Sequence, residues 1–388
     1  MIGMQDQETK VQFEPSSPER VAEAPVLRPV MPELDSIRGI AVLAVLFYHG
    51  LFWSVGVEHA TGFTRFLLLA TKPGWLGVEL FFVLSGFLIT GILLDSKSHP
   101  AYYRRFYIRR ALRILPAYLA VVLGLFCTGI IDLPFFLLST LFLANVTPLF
   151  GIAMQYGPLW SLAVEEHYYL IWPAIVKRVS PRTLALIALA ITILGPVLRL
   201  VSFHLDLVDG LYTYSWFTLD GLAMGTLLAL FLRHPGVGRR AVTILAMTLT
   251  AVALCLLTIG LPFGILHRTT PLGAAMQYTP WCLLFTGLLA ACLLIGSSRF
   301  APFVQSRVLR FFGHISFGLY LMHVAIFWLY DFLAARFWAG LSLSNSEDLL
   351  GLMLLRFLAA GGAAILLAAL SRRHYEQRFL DMKEMWGR

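Results

Sequence analysis

The sequence predicts an all-α fold, a polytopic bundle of about ten transmembrane helices, and three observations carry that expectation. Of 388 residues, 58% are hydrophobic and only 13% charged, against about a quarter charged in an ordinary soluble domain. Ten apolar runs reach the roughly 20 residues needed to cross about 30 Å of hydrocarbon. The basic residues then gather in alternate loops between those runs.

Taken in order, residues 1–33 contain Pro15, Pro18, Pro25, Pro29 and Pro32 among acids and bases, without a sustained apolar run. Such a stretch buries too little surface to offset its ordering entropy, so a disordered cytoplasmic tail is expected. It has no apolar core with a cleavage site, so a removable secretory signal is not expected. The runs follow near 37–55, 75–94, 112–131, 158–176, 183–201, 212–232, 241–260, 275–296, 311–333 and 350–370, and a tail closes the chain over 372–388. A membrane unit over 34–371 leaves no residues for a separate soluble domain.

An eleventh stretch, 133–150, contains Pro134, Asn145 and Pro148. If it does not cross, one side of the membrane receives Arg104, Arg105, Arg109, Arg110 and Arg113, then Lys177, Arg178 and Arg182, Arg233, Arg239 and Arg240, Arg299, Arg307 and Arg310, and the basic carboxyl-terminal tail. The other side keeps Arg65, Lys72, Arg268 and Arg336. A crossing would reverse every later loop against the positive-inside rule. Ten crossings with both termini cytoplasmic are therefore expected, 133–150 being re-entrant or lying on the outer side. The net charge of +8 then reflects topology, and a nucleic-acid partner is not expected. The four cysteines, Cys127, Cys255, Cys282 and Cys292, lack metal or disulfide spacing and read as small buried side chains.

Ionisable groups inside such spans cost about 2.5–3.5 kcal/mol each on insertion scales and mark function by default. Asp35, Arg38, His49, Glu79, Glu165, Glu166, His167, Arg199, Asp220, His323 and Arg356 all qualify. Arg38 and His49 lie about 16 Å apart on one helical face, three turns along the first span. Ser316, Tyr320 and His323 share another face. His49, Glu165, Asp220 and His323 fall at comparable depth, which predicts a hydrated site between four helices. The run YYRRFYIRRALRILPAYL either anchors anionic headgroups or holds a polyphosphate through arginine forks, with Arg110 and Arg113 on one face. No P-loop, HExxH, GxSxG or zinc spacing occurs, so a metal is not expected.

Six segments in order, LDSIRGIAVLAVLFYH (34–49), GWLGVELFFVLSGFLITGIL (74–93), FYIRRALRILPAY (106–118), PLWSLAVEEHYYLIWP (158–173), LDGLAMGTLLA (219–229) and ISFGLYLMH (315–323), resemble the membrane-integral acyltransferase family 3. The resemblance implies an O-acyltransferase of the bacterial plasma membrane. Its donor would be cytoplasmic acyl-CoA, normally acetyl-CoA, and its acceptor a sugar or glycan hydroxyl: lipopolysaccharide, another exported polysaccharide, a lipid-linked sugar or a smaller glycoside. It carries catalytic roles to His49, Glu165 and His323, with His49 as general base on the acceptor hydroxyl or as a transient acyl carrier, and Glu165 or His323 orienting its imidazole. Donor binding falls to Arg38, Arg110 and Arg113. Asp35, Glu79, Ser161, Asp220, Ser316 and Tyr320 are further candidates, and Glu79 stands where many relatives have aspartate. Some relatives append an SGNH-type outer domain that this sequence does not show, so transfer would finish within the membrane unit or with a separate extracytoplasmic partner. A transporter or flippase is the competing class, because carriers also need midplane charges, but no matched pair of interrupted helices or repeat supports it.

Overall fold

The computed structural model describes residues 26–52, 60–207, 209–337 and 346–386, and within them every regular element is helical. The helices are α1 (Pro32–Phe47), α2 (Gly62–Thr71), α3 (Gly77–Asp95), α4 (Tyr102–Cys127), α5 (Leu133–Thr140), α6 (Leu159–Arg178), α7 (Pro181–His204), α8 (Ser215–Thr218) and α9 (Asp220–Leu232). There follow α10 (Arg239–Gly260), α11 (Pro271–Met276), α12 (Thr279–Gly296), α13 (Ala301–Val304), α14 (Arg307–Phe337), α15 (Ser346–Arg356), α16 (Gly362–Ser371) and α17 (Gln377–Trp386). Their starts are marked by local chemistry. Asp132 and Ser180 accept the backbone N–H groups of Phe135 and Thr183, and Pro32, Pro134 and Pro181 occupy first-turn positions where no donor is missed.

Eight helical segments among the described residues are long and apolar enough to cross a membrane. The two other expected spans correspond to α6 and α9. Helix α6 has the length, with 20 residues, but carries Glu165, Glu166, Lys177 and Arg178. Helix α9 has only 13 residues, about 20 Å of rise, because Asp220 must meet a partner at its first turn. Within 133–150 lie α5, of 8 residues, and a 3₁₀ segment of 7, each too short to cross. Helix α4 begins ten residues before the expected run, so the arginine-rich segment is its own first turns.

Helix α3 is central and α7 and α10 are peripheral: their apolar windows are 67%, 22% and 22% buried. The outward faces of α7 and α10 carry exposed Leu186, Leu189, Ile193, Ile244, Met247 and Leu254, the inverse of a soluble surface and the pattern a lipid solvent requires. Cys127 and Cys255 are likewise exposed, contrary to the expectation for all four cysteines, while Cys282 is buried.

Glycines bring helix backbones into contact at several crossings, among them Gly77 of α3 against the Ala41 carbonyl of α1. A Cβ at Gly39 would strike the Leu309 carbonyl and one at Gly313 the Asp35 carbonyl, so α1 and α14 meet at paired glycines. Gly86 and Gly225 do the same for α3 and α9. Small residues at such crossings are what membrane packing selects, and here they fix α1 between α3 and α14.

The tail expected over 1–33 lies outside the described residues up to position 25. From there Val26, Leu27 and Met31 pack on the core, and Arg28 pairs with the buried Glu33 and donates to the Gly296 carbonyl. From 372 onward the chain is helical to Trp386 and packs on α4.

Candidate functional site

The end of α1 departs from regular helix. Tyr48–Phe52 forms a π-helical turn, a form common where a side chain must be re-aimed. His49 sits in this turn. The displaced carbonyls are held by Arg356, which donates to the Gly50 carbonyl at 2.8 Å and is fixed by both oxygens of Asp331 at 2.6 and 2.8 Å.

Opposite His49, α14 presents His323, 1% exposed. The His323 Nδ1 faces the Leu319 and Tyr320 carbonyl oxygens at 3.1 and 2.8 Å. Carbonyls only accept, so Nδ1 carries the hydrogen and Nε2 is the acceptor. His49 Nδ1 stands 3.1 Å from that Nε2 and 3.1 Å from the Val45 carbonyl. Both neighbours accept, so the network assigns His49 Nδ1 as donor and leaves its basic lone pair on Nε2. Of the two residues expected to orient His49, the structure places His323 in hydrogen-bond contact with it.

Glu165 is elsewhere. Helix α6 turns it toward α3, where Ser85 Oγ donates to its Oε1 at 2.7 Å. It lines a cavity of about 600 Å³ together with Asp35, Arg38, Arg110, Arg113 and Tyr320. Ser161 and Ser316 also line it, while His49 and His323 do not. Ser161 Oγ and the Tyr320 hydroxyl share a 2.6 Å hydrogen bond, and His323 lies just beyond, its ring centroid 5.9 Å from that of Tyr320. The hydrogen-bonded Ser161–Tyr320 pair thus lies on the cavity wall, and His323, three residues on from Tyr320, lies outside that wall.

Charge in the cavity is unbalanced. Arg38, Arg110, Arg113 and Arg310 face two carboxylates, Asp35 and Glu165. Asp35 stands 3.8 Å from Arg38. The Arg110 guanidinium stacks on Tyr169, 4.1 Å from the ring centroid, and its buried Nε has no hydrogen-bond partner among the described residues. Orphaned, charged donors in a pocket are suited to an anion with several oxygens. Arg310 and His314 were not singled out from sequence, although their i, i+4 spacing just before Ser316 and Tyr320 carried the signal. Ser85 had none, being one serine in an apolar helix.

Asp220 does not join His49, contrary to the expected four-helix meeting. Arg199 of α7 donates to both its oxygens at 3.2 and 2.9 Å, and also to the Ala275 and Phe217 carbonyls. Both side chains are 0% exposed. Glu79, buried beside Gly221, accepts from Cys282 Sγ at 3.4 Å. These contacts tie α3, α7, α9 and α12 together. Removing one partner of a buried pair typically costs about 3–5 kcal/mol. Asp220→Ala is therefore expected to lower the thermal midpoint of detergent-purified protein steeply, and Arg199→Met with Asp220→Leu to restore most of it. Among the described residues no group of three histidines, cysteines or carboxylates is placed to hold a metal ion.

A multi-pass membrane protein with an arginine-lined cavity backed by a histidine pair is the class that fold and site define. The acyltransferase-domain family matches residues 31–373, and the chain belongs to that family. It is 28% identical over 337 residues to the peptidoglycan O-acetyltransferase OatA of Listeria monocytogenes, covering 77% of this chain and 50% of that protein. It is 28% identical over 326 residues to a putative peptidoglycan O-acetyltransferase, YrhL, of Bacillus subtilis, covering 76% and 48%. The O-acetyltransferase OatA of Staphylococcus aureus is 25% identical over 329 residues, covering 76% and 50%. The chain spans about half the length of the curated relatives it matches. No solved structure matches it.

Proposed function

We propose that the chain is a membrane O-acetyltransferase that takes an acetyl group from acyl-CoA at its basic face and passes it to a hydroxyl of an exported glycan. The observation that carries this reading is the unbalanced arginine cavity ending one helical turn from the histidine pair. By the positive-inside rule the basic face is cytoplasmic and both termini lie there, and the similarity to bacterial O-acetyltransferases favours the bacterial plasma membrane. The similarity to peptidoglycan O-acetyltransferases favours peptidoglycan over lipopolysaccharide as acceptor.

In this mechanism Arg110, Arg113 and Arg38 hold the donor phosphates through charged forks. The Ser161–Tyr320 bond opens to let the thioester reach His49. His49 Nε2 takes the proton of the acceptor hydroxyl as its oxygen attacks the thioester carbonyl. The new C–O bond forms, the C–S bond breaks, and the imidazolium returns its proton to the leaving thiolate. His323 steadies the charged imidazole through Nε2. Arg356 and Asp331 hold the π-helical turn that aims His49.

Purified protein in phospholipid vesicles, given acetyl-CoA and a glycan fragment, is expected to release free CoA and acetylated glycan in equal amounts. Uptake of the glycan with no CoA released would favour a carrier and overturn the reading.

A further inference from the structure

A second, larger cavity is unrelated to the histidine pair. Helix α7 packs on α9, and α10 on α12. Between the two pairs lies a slot of about 860 Å³, walled by side chains such as Leu189, Leu227, Phe231 and Leu249. Its two hydroxyls are already committed: Thr192 donates to the Ala188 carbonyl at 3.0 Å and Thr286 to the Cys282 carbonyl at 2.7 Å. Beyond its rim the slot therefore offers nothing to a polar ligand.

The rim itself is polar and lies at one end only, where Asp95, Arg182, Arg233 and His234 meet. Asp95 is consumed by Arg233, which holds both its oxygens at 2.8 and 2.7 Å. His234 Nδ1 donates to the Pro235 carbonyl at 2.8 Å. Arg182 is exposed and makes no ion pair among the described residues. The rim thus presents a net positive charge above an apolar shaft. From Arg182 to Thr192 the shaft follows α7 for about 15 Å. That depth is one leaflet, half of the roughly 30 Å hydrocarbon core.

We infer that the slot between α7 and α10 is a binding site for one anionic phospholipid of the leaflet on the basic side. An acyl chain fills the shaft and the phosphate headgroup pairs with Arg182. The occupant is chosen by complementarity: a dry wall one leaflet deep takes a hydrocarbon chain, and a cationic mouth takes a phosphate. The site does not depend on the acyl-transfer reading.

The test is lipid retention by the full chain. Protein is purified in mild detergent from vesicles of equal phosphatidylglycerol and phosphatidylcholine, washed free of loose lipid, and its lipid measured by mass spectrometry. About one phosphatidylglycerol per chain is expected, in excess over phosphatidylcholine. Ala185→Trp, which fills the shaft, is expected to abolish retention. Arg182→Ala, an exposed change that leaves the fold intact, is expected to cut the preference for phosphatidylglycerol about fivefold, the equivalent of roughly 1 kcal/mol for one arginine near an anionic headgroup. Equal retention of both lipids by the wild type, or an unchanged preference in Arg182→Ala, overturns the assignment.

Discussion

His49→Ala is expected to abolish acetyl transfer while the protein still inserts at wild-type level. A positioned general base contributes about 10²–10⁴-fold. The loss should fall on kcat, because His49 is outside the cavity proposed to hold the donor phosphates. His323→Ala should also lower kcat, since its Nε2 is what accepts from His49 Nδ1. Because His323 acts through His49, a variant that can still accept there, His323→Gln, should recover part of the rate. Undiminished transfer by His49→Ala, measured on purified protein of confirmed thermal stability, would sink the mechanism.

Arg110→Ala with Arg113→Ala should act on the other half of the reaction. Each charged hydrogen bond is worth roughly 1.5–3 kcal/mol, so losing two is expected to raise KM for acetyl-CoA about 10²-fold or more. The acceptor KM should stay near its wild-type value, and the remaining donor affinity should depend less on salt. Lysine at both positions would restore charge without the bidentate fork and recover only part of the affinity. Calorimetry with acetyl-CoA checks this directly. Unchanged affinity in the double variant would contradict the phosphate assignment.

Much of the frame was legible because a membrane span is a composition signal, and ten apolar runs with alternating basic loops need no tertiary information. The arginine run, Ser316, Tyr320 and His323 were likewise visible, each pattern lying within one helix. What escaped was which helices face one another. Depth grouped Asp220 and Glu165 with His49, but depth says nothing of azimuth, and the structure gives Asp220 to Arg199 and Glu165 to Ser85. The π-helical turn at Tyr48–Phe52 has no sequence signal of its own. It depends on Arg356 and on Gly50, where a Cβ would collide with Phe327 and Phe357. Helix α9 was expected to be long because residues 212–232 are apolar on the whole, yet Asp220 within them is drawn inward to Arg199 and the helix starts there.

In the proposed mechanism the Ser161–Tyr320 hydrogen bond lies between the donor cavity and His49. Its opening once the donor is seated would join the arginine cavity and the histidine pair into one path.

Acetyl transfer to an exported glycan is decided by mass spectrometry of envelope glycans from cells lacking the gene, restored with the wild type, with His49→Ala, or with Arg110→Ala and Arg113→Ala together. One acetyl group per modified sugar is expected to disappear with the gene and to return only with the wild type. Glycans whose acetylation is unaffected by loss of the gene, or fully restored by either variant, would contradict it.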